Sequence, residues 1–254
     1  MPVLEIRNLT KIYDGRVRAL DDVSLKVQRG EFLVVVGLSG SGKSTLMRCI
    51  NRLVEPTAGQ VLFDGVDVTA ASPEELRLVR RRIGMVFQHF NLVRRSSVLT
   101  NVLSGRLGYV NPWPSLLHRF PAVEVERAMA NLRRVGIEEK AEARADELSG
   151  GQQQRVGIAR ALMQDPEMIL ADEPVSALDP ATSHSVLRYL EEINREDGTT
   201  ILCNLHFLDL ARRYGTRIIA LKAGRLIFDG LPSEIDRDRF REIYGEEAQE
   251  VGVS

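Results

Sequence analysis

Apolar and polar positions alternate with a period of two over Val3–Leu9 and again over Ala19–Val27, ahead of a turn at Arg29-Gly30. Each stretch predicts a strand with one buried face. Phe32–Val36 is instead an unbroken apolar run of strand length, the pattern of a strand covered on both faces. Thr45–Leu53 then sets Leu46, Met47, Ile50 and Leu53 at helical spacing, and Gly59–Val68 reads as a hairpin turning at Asp64-Gly65. Pro73–Arg82 predicts a helix ending in Arg80-Arg81-Arg82, Ile83–Phe87 a short strand, and Val93–Leu107 a helix. Asn111-Pro112-Trp113-Pro114 breaks the pattern, and Pro121 closes a loop-like insert. Ala122–Val135 and Val156–Met163 predict two more helices, the second after a glycine-rich turn at Gly150-Gly151. Strand and helix then alternate: Met168–Ala171, a helix after Pro180, Thr199–Cys203, a helix after His206, and strands near Arg217–Leu221 and Arg225–Phe228. The Glu-rich tail from Glu246 reads as a frayed end, and no internal repeat is visible.

Alternation at both ends with a helical stretch between them predicts an α/β core interrupted by a helical subdomain. The expected division is one domain over 1–254, with core segments 1–72 and 163–254 and an insert over 73–162. Composition narrows the class. A chain of 254 residues can bury roughly three-quarters of its unfolded surface and needs no disulfide or metal staple. Lys and Arg total 34 against 35 Asp and Glu, so net charge gives no reason to expect a nucleic-acid partner. Cys49 and Cys203 each lie in an apolar stretch, which points to a reducing cytoplasm. Glu5 and Arg7 interrupt the start of the chain before a leader could form, and no run approaches the roughly 18 uncharged apolar residues of a membrane span. Collagen-like, disordered, disulfide-rich secreted and integral-membrane classes are excluded. Work at a membrane would go through another chain.

Gly37-x-x-x-x-Gly42-Lys43-Ser44 fits the phosphate-binding loop at every specified position, between a buried strand and a helix. Its glycines let backbone N–H groups curl around phosphates, and the helix N-terminus adds a positive dipole. Lys43 would reach the β- and γ-phosphates and Ser44 would bind Mg²⁺, with Ser39, Gly40, Ser41 and Thr45 completing the cradle. Met168–Ala171 is an apolar strand running into Asp172-Glu173-Pro174, and strand ends are where open α/β sheets place ligands. Asp172 suits the metal, and Glu173, one residue on, suits activation of the attacking water.

Leu148-Ser149-Gly150-Gly151-Gln152-Gln153-Gln154-Arg155-Val156 stands just upstream of that acidic pair. Together with the phosphate loop, Gln88 after a strand, Ser176-Ala177-Leu178-Asp179 and His206, it makes the chain resemble the ATP-binding cassette ATPases over nearly its whole length. The resemblance implies a phosphate-loop core of mixed sheet and helices, an antiparallel β subdomain and an inserted helical subdomain. It implies that Tyr13 stacks on adenine and that Gln88 couples Mg²⁺ and the attacking water to the helical part. By the same likeness, Ser149, Gly150, Gly151 and Gln152 form the signature that meets the γ-phosphate of an opposing subunit's ATP. Asp179 links the two sites, and His206 contacts the γ-phosphate.

One phosphate loop and one signature per chain then imply a head-to-tail homodimer with two composite sites. The family's importers add two membrane permease subunits and an extracytoplasmic solute-binding protein, which would place this chain at the cytoplasmic face of the inner membrane. A permease coupling helix would enter a groove near Gln88, to which His89–Val93 could contribute. Ser97–Gly108, Trp113, Leu116-Leu117-His118-Arg119-Phe120-Pro121 and Cys203-Asn204-Leu205-His206 with Asp209-Leu210-Ala211 most resemble the phosphonate importers. Phe207 departs from the glutamine expected there. ATPases of polar amino-acid or phosphate importers share every catalytic residue and remain an alternative. A cassette acting on nucleic acid or ribosomes is disfavoured: about a hundred residues separate Ser44 from Ser149, with no sustained heptads, and the chain holds one cassette. The run Arg80–Arg82 reads as a solvated helix face.

Overall fold

The computed structural model describes residues 2–109 and 120–245. The Asn111–Pro114 break, Trp113, Leu116–Arg119 and the tail from Glu246 lie outside the described residues. Two sheets organise the rest. Strands β1 (Pro2–Tyr13), β2 (Val17–Gln28), β4 (Ala58–Phe63) and β5 (Val66–Asp67) form an antiparallel sheet in the order β2-β1-β4-β5. The larger sheet has the order β10-β9-β3-β8-β7-β6, built from β3 (Phe32–Val36), β6 (Ile83–Val86), β7 (Met168–Ala171), β8 (Thr200–Asn204), β9 (Arg217–Lys222) and β10 (Arg225–Gly230). Its strands are parallel except β10, which pairs antiparallel with β9 at the edge.

The unbroken run of β3 has a direct cause. Phe32, Val34 and Val36 pack into a core shared with the helices, while Leu33 and Val35 pack into a second core shared with the antiparallel sheet. A strand between two cores has no polar face to show. β1 extends beyond its alternating stretch because backbone pairing carries on: Lys11 pairs with Leu20, Ile12 with Arg18 and Tyr13 with Val17, across register shifts.

Helix boundaries follow the caps. α1 is Lys43–Ile50, and α2 is Pro73–Arg82, as expected, opened by a reciprocal Ser72–Glu75 capping box. α3 covers only Val98–Leu103 of the expected Val93–Leu107, followed by a 3₁₀ turn at Ser104–Arg106. Ser97 caps it, and the Asn101 side chain bonds both Val93 N and Val93 O, at 2.7 and 3.1 Å, which holds Val93–Ser97 out of the helix. α4 is Ala122–Arg134. α5 is Gly150–Leu162 and starts six residues before the expected Val156, because Ser149 and Gln152 close a capping box over the glycine pair. α6 (Pro180–Asp197) is capped by Asp179 and stopped by Gly198 at φ 67°, and α7 is Leu208–Tyr214. α8 (Arg237–Tyr244) was not foreseen. Asp236 caps it, and Phe240, Ile243 and Tyr244 turn to the core.

The strand β6 falls within residues 73–162 yet pairs in parallel with β7 at the edge of the large sheet. The helical layer is therefore α3, α4 and α5, which pack on one another. Arg29, Asp64, Arg82 and Glu167 form a closed ring of ion pairs that ties the β4–β5 turn to α2 and to the start of β7. The arginines at the end of α2 are thus not a free solvated face: Arg82 belongs to that ring, Arg80 bonds Asn51 O and Arg52 O, and Arg81 bonds Gly108 O and stacks on Tyr109. Among the described residues no helix is long and apolar enough to cross a membrane.

Candidate active site

The loop from Gly37 to Gly42 leaves the end of β3, a position forced by the parallel sheet, and feeds α1. Two of its glycines are required by space as well as by backbone. Gly37 has φ 140° and a Cβ there would lie 2.2 Å from Leu221 O; Gly42 has φ 107° and a Cβ there would lie 2.4 Å from Ala19 O. The loop is braced from the β9–β10 turn, where Gly224 N donates to Ser41 O at 3.0 Å. Lys43 is buried under the loop, its Nζ donating to Gly37 O at 2.7 Å and Leu38 O at 3.0 Å. Burial lowers its pKa from the usual lysine range, and the nearby Glu173 and Asp172 charges partly offset this.

At the end of β7, Asp172 is 3% exposed and accepts from Ser44 Oγ at 2.7 Å and from Asn204 Nδ2 at 2.8 Å, both on Oδ1. Ser44 and Asp172 are hard oxygen donors, the chemistry Mg²⁺ takes when phosphates and water supply its remaining ligands. Among the described residues the buried Asn204 Oδ1 has no hydrogen-bond partner, so the cluster still has polar capacity, and the residues present fit such an ion. Next along the chain, Glu173 adopts φ 51°, a left-handed conformation that costs a non-glycine residue roughly 1–3 kcal/mol. Its Oε1 lies 2.7 Å from His206 Nε2, at the end of the neighbouring strand β8.

A recess of about 250 Å³ opens over these groups, lined by Tyr13, Val17, Ala19, Gly40, Ser41, Gly42, Lys43, Ser44, Thr45 and Glu173. Tyr13, the last residue of β1, lines it, with Lys11 Nζ 4.9 Å from its ring centre. The sequence-predicted residues therefore fall into three groups. The phosphate loop, Asp172, Glu173, His206 and Tyr13 converge. Gln88 is half-buried in the turn after β6 and does not line the recess. Neither Ser149, Gly150, Gly151 nor Gln152 lines it: they form the N-terminus of α5, while Asp179 caps α6 with its carboxylate on Thr182 N at 3.0 Å. The Thr182 hydrogen bond holds the Asp179 carboxyl below the usual range.

Sequence reasoning missed Asn204 as part of this site. The pairing of Ala171 with Cys203 sets Asn204, the residue after the Thr199–Cys203 run, beside Asp172, and the sequence alone does not show which strands are neighbours. His89–Val93 contributes less to a groove than its apolarity implies, since Leu92 packs against the core and Val93 alone of its large apolar residues is strongly exposed. A separate cleft of about 350 Å³ lies between α2, β6 and α5, with Arg77, Arg80, Arg81, Phe87, Tyr109 and Arg160 on its walls and no carboxylate among its described lining residues.

A phosphate loop between a doubly covered strand and a helix, with a buried carboxylate on the adjoining strand end, defines a nucleotide-binding cassette of the phosphate-loop ATPase class. The family model described as ABC transporter matches residues 20–176. The chain belongs to that family. It is 57% identical over 251 residues to the phosphonates import ATP-binding protein PhnC of Bdellovibrio bacteriovorus, covering 98% of this chain and 96% of that one. Identity is 52% to the phosphonates import ATP-binding protein PhnC 3 of Halalkalibacterium halodurans, covering 98% and 96%. Among solved structures, the dimeric post-hydrolysis state of the ATP-binding cassette MJ0796 bound to ADP and Pi aligns with a TM-score of 0.80 at 38% identity, over 90% of this chain and 98% of that one. The ADP conformation of the cassette MJ1267 aligns with a TM-score of 0.83 at 31% identity, over 96% and 97%.

Proposed function

We propose that the chain is the ATP-hydrolysing subunit of a phosphonate importer, working as a head-to-tail homodimer beneath two membrane permease subunits at the cytoplasmic face of the inner membrane. An extracytoplasmic solute-binding protein delivers the solute. The observation that carries the enzymatic reading is the convergence of Lys43, Ser44, Asp172, Glu173 and His206 at one sheet edge. Likeness to the phosphonate-import relatives across nearly the whole chain supports the solute class.

The reaction is in-line attack of water on the γ-phosphate of ATP. Loop N–H groups and Lys43 hold the phosphates, and Lys43, already desolvated, does so as a close charge in a low-dielectric setting. Glu173 orients the water and takes its proton, while His206, now hydrogen-bonded to Glu173, turns to the γ-phosphate. Ser44 and Asp172 would hold Mg²⁺, which when bound supplies charge neutralisation on the phosphates. Tyr13 stacks on the adenine, and Ser39 and Thr45 complete the loop's contacts. Gln88, in the turn after the edge strand β6, would couple the metal and the attacking water to the helical layer once nucleotide is bound.

The separation of Ser149–Gln152 from the recess supports completion of each site by a second copy. In that arrangement Ser149 and Gly151 address the partner's γ-phosphate from a helix N-terminus, and Asp179 lies at the junction between sites. The arginine-walled cleft supports the permease reading. Arg80 and Arg160 are held by backbone carbonyls rather than carboxylates, so their charge is left for a partner. A permease segment carrying an acidic residue fits this wall.

Uptake of a labelled alkylphosphonate by source cells, wild type against Glu173→Gln, tests the function. Phosphonate uptake should fall to background while phosphate and glutamine uptake stay unchanged. Surviving phosphonate uptake would overturn the solute class, and loss of phosphate or glutamine uptake instead would favour the corresponding importer.

A further inference from the structure

Asp172 is held by more than the phosphate loop. Strands β7 and β8 run parallel with Ala171 opposite Cys203, which brings Asp172 and Asn204 together at the C-terminal edge of the sheet. Asn204 Nδ2 and Ser44 Oγ both donate to Asp172 Oδ1, at 2.8 and 2.7 Å. The other oxygen, Oδ2, has Arg48 Nη2 at 3.7 Å. That ion pair is loose: Asp172 is buried, whereas the Arg48 side chain is half-exposed on α1. The carboxylate is thus drawn from two sides, by neutral donors on one oxygen and by a cation on the other.

Asn204 is a costly choice for this position. It is fully buried, and its Oδ1 finds no hydrogen-bond partner among the described residues. Leucine has nearly the same shape and would leave no orphaned acceptor there. Packing therefore does not account for the amide, and its one hydrogen bond to Asp172 does.

We propose that Asn204 is a positioning residue that pins the Asp172 carboxylate beside Ser44 against the pull of Arg48, and so sets the Mg²⁺ requirement of nucleotide binding. The proposal rests on Ser44 and Asp172 being the metal-holding pair. With two donors on Oδ1 the carboxylate plane is fixed. Without Nδ2 one donor remains, the plane is free to rotate, and the half-exposed Arg48 guanidinium can close to a bidentate pair that occupies both oxygens.

The test uses the full-length protein and a fluorescent ATP analogue, with Mg²⁺ titrated in from an EDTA baseline. Asn204→Leu should raise the half-saturating Mg²⁺ concentration about tenfold, with binding in EDTA unchanged. Adding Arg48→Met should restore most of that loss, a rescue that a purely structural role for Asn204 does not produce. An unchanged Mg²⁺ requirement in Asn204→Leu, or an equal rise with and without Arg48→Met, overturns the proposal. Melting curves check that each variant folds. If Asn204→Leu does not fold, Arg48→Met alone carries the test: it should lower the Mg²⁺ requirement, and no change refutes the competition. Asp172→Asn separates the two levels of the argument. If it too leaves the requirement unchanged, the metal pair falls and the proposal with it. If it raises the requirement while Asn204→Leu does not, only the role of Asn204 falls.

Discussion

Gly151, the second residue of α5, is buried, and a Cβ built on it would lie 2.2 Å from Thr182 Cγ2 in the first turn of α6. Alanine at this position forces Thr182 to rotate or the two helix ends to part, an overpacking cost of about 1–3 kcal/mol. Against this, replacing glycine within a helix returns up to ~1 kcal/mol. The net expectation for Gly151→Ala is a loss of about 1–2 kcal/mol, which lowers the melting temperature by roughly 2–8 °C in a chain of this size. Thr182→Ser deletes the offending methyl and leaves Cβ and Oγ at 3.6 and 3.9 Å, ordinary contacts. In that background Gly151→Ala should be neutral or slightly stabilising. Thermal melts of the four proteins of this cycle check the arithmetic. If Gly151→Ala costs the same in both backgrounds, the Thr182 contact is not what requires glycine. ATPase turnover gives the other half of the answer. The refolded double variant should turn over more slowly than Thr182→Ser if the Gly151 backbone also makes the proposed signature contact with a second copy's nucleotide, since the Cβ itself faces Thr182. Full turnover would limit Gly151 to a packing role.

Lys43→Ala should abolish binding of ATP in equilibrium dialysis, because no other cation lines the described recess; near-normal affinity would refute the phosphate-loop assignment. The Glu167 carboxyl is held below the usual range chiefly by its hydrogen bond to Arg82, with burial opposing. Its contribution is therefore fully present above its unfolded value of about 4.5 and is lost as pH falls through the lower folded value. Glu167→Gln should cost about 1 kcal/mol in denaturant melts at pH 7, with the gap to wild type shrinking as pH falls below the ordinary carboxylate range; a gap independent of pH would show that the ion ring does not act through charge. Burial pushes the Cys49 thiol up to about 11 and the Cys203 thiol higher still. Neither should react with a disulfide reagent at pH 8 until the protein is unfolded, and rapid labelling of native protein would contradict their burial.

The core strands were legible because their burial is written in single residues: β3 and β7 are unbroken apolar runs with a core on each face. The phosphate loop and the Asp172-Glu173 pair were legible because their chemistry admits few residue types at fixed spacing. What was lost depended on partners distant in sequence. α5 read as starting at Val156 because Gly150-Gly151 has poor helix propensity, yet the Ser149–Gln152 box supplies the missing end contacts. Val93–Ser97 looked helical by period, and only the Asn101 side chain, bonding back to Val93, makes it irregular. The Arg80–Arg82 run looked like a solvated face because its acceptors are carbonyls and acids from other elements. Asn204 was quoted only as a subgroup marker, since its tie to Asp172 depends on the order of strands in the sheet.

The central claim is that each catalytic site is split between two copies, with Glu173 committing ATP to hydrolysis. Light scattering of Glu173→Gln, with and without ATP and Mg²⁺, tests it most directly. The account predicts the 28.4 kDa chain mass without nucleotide and twice that mass with ATP, with the dimer lost again when Ser149 is replaced by arginine. A Glu173→Gln protein that stays monomeric under saturating ATP and Mg²⁺, or that dimerises equally well with the Ser149 replacement, would contradict it.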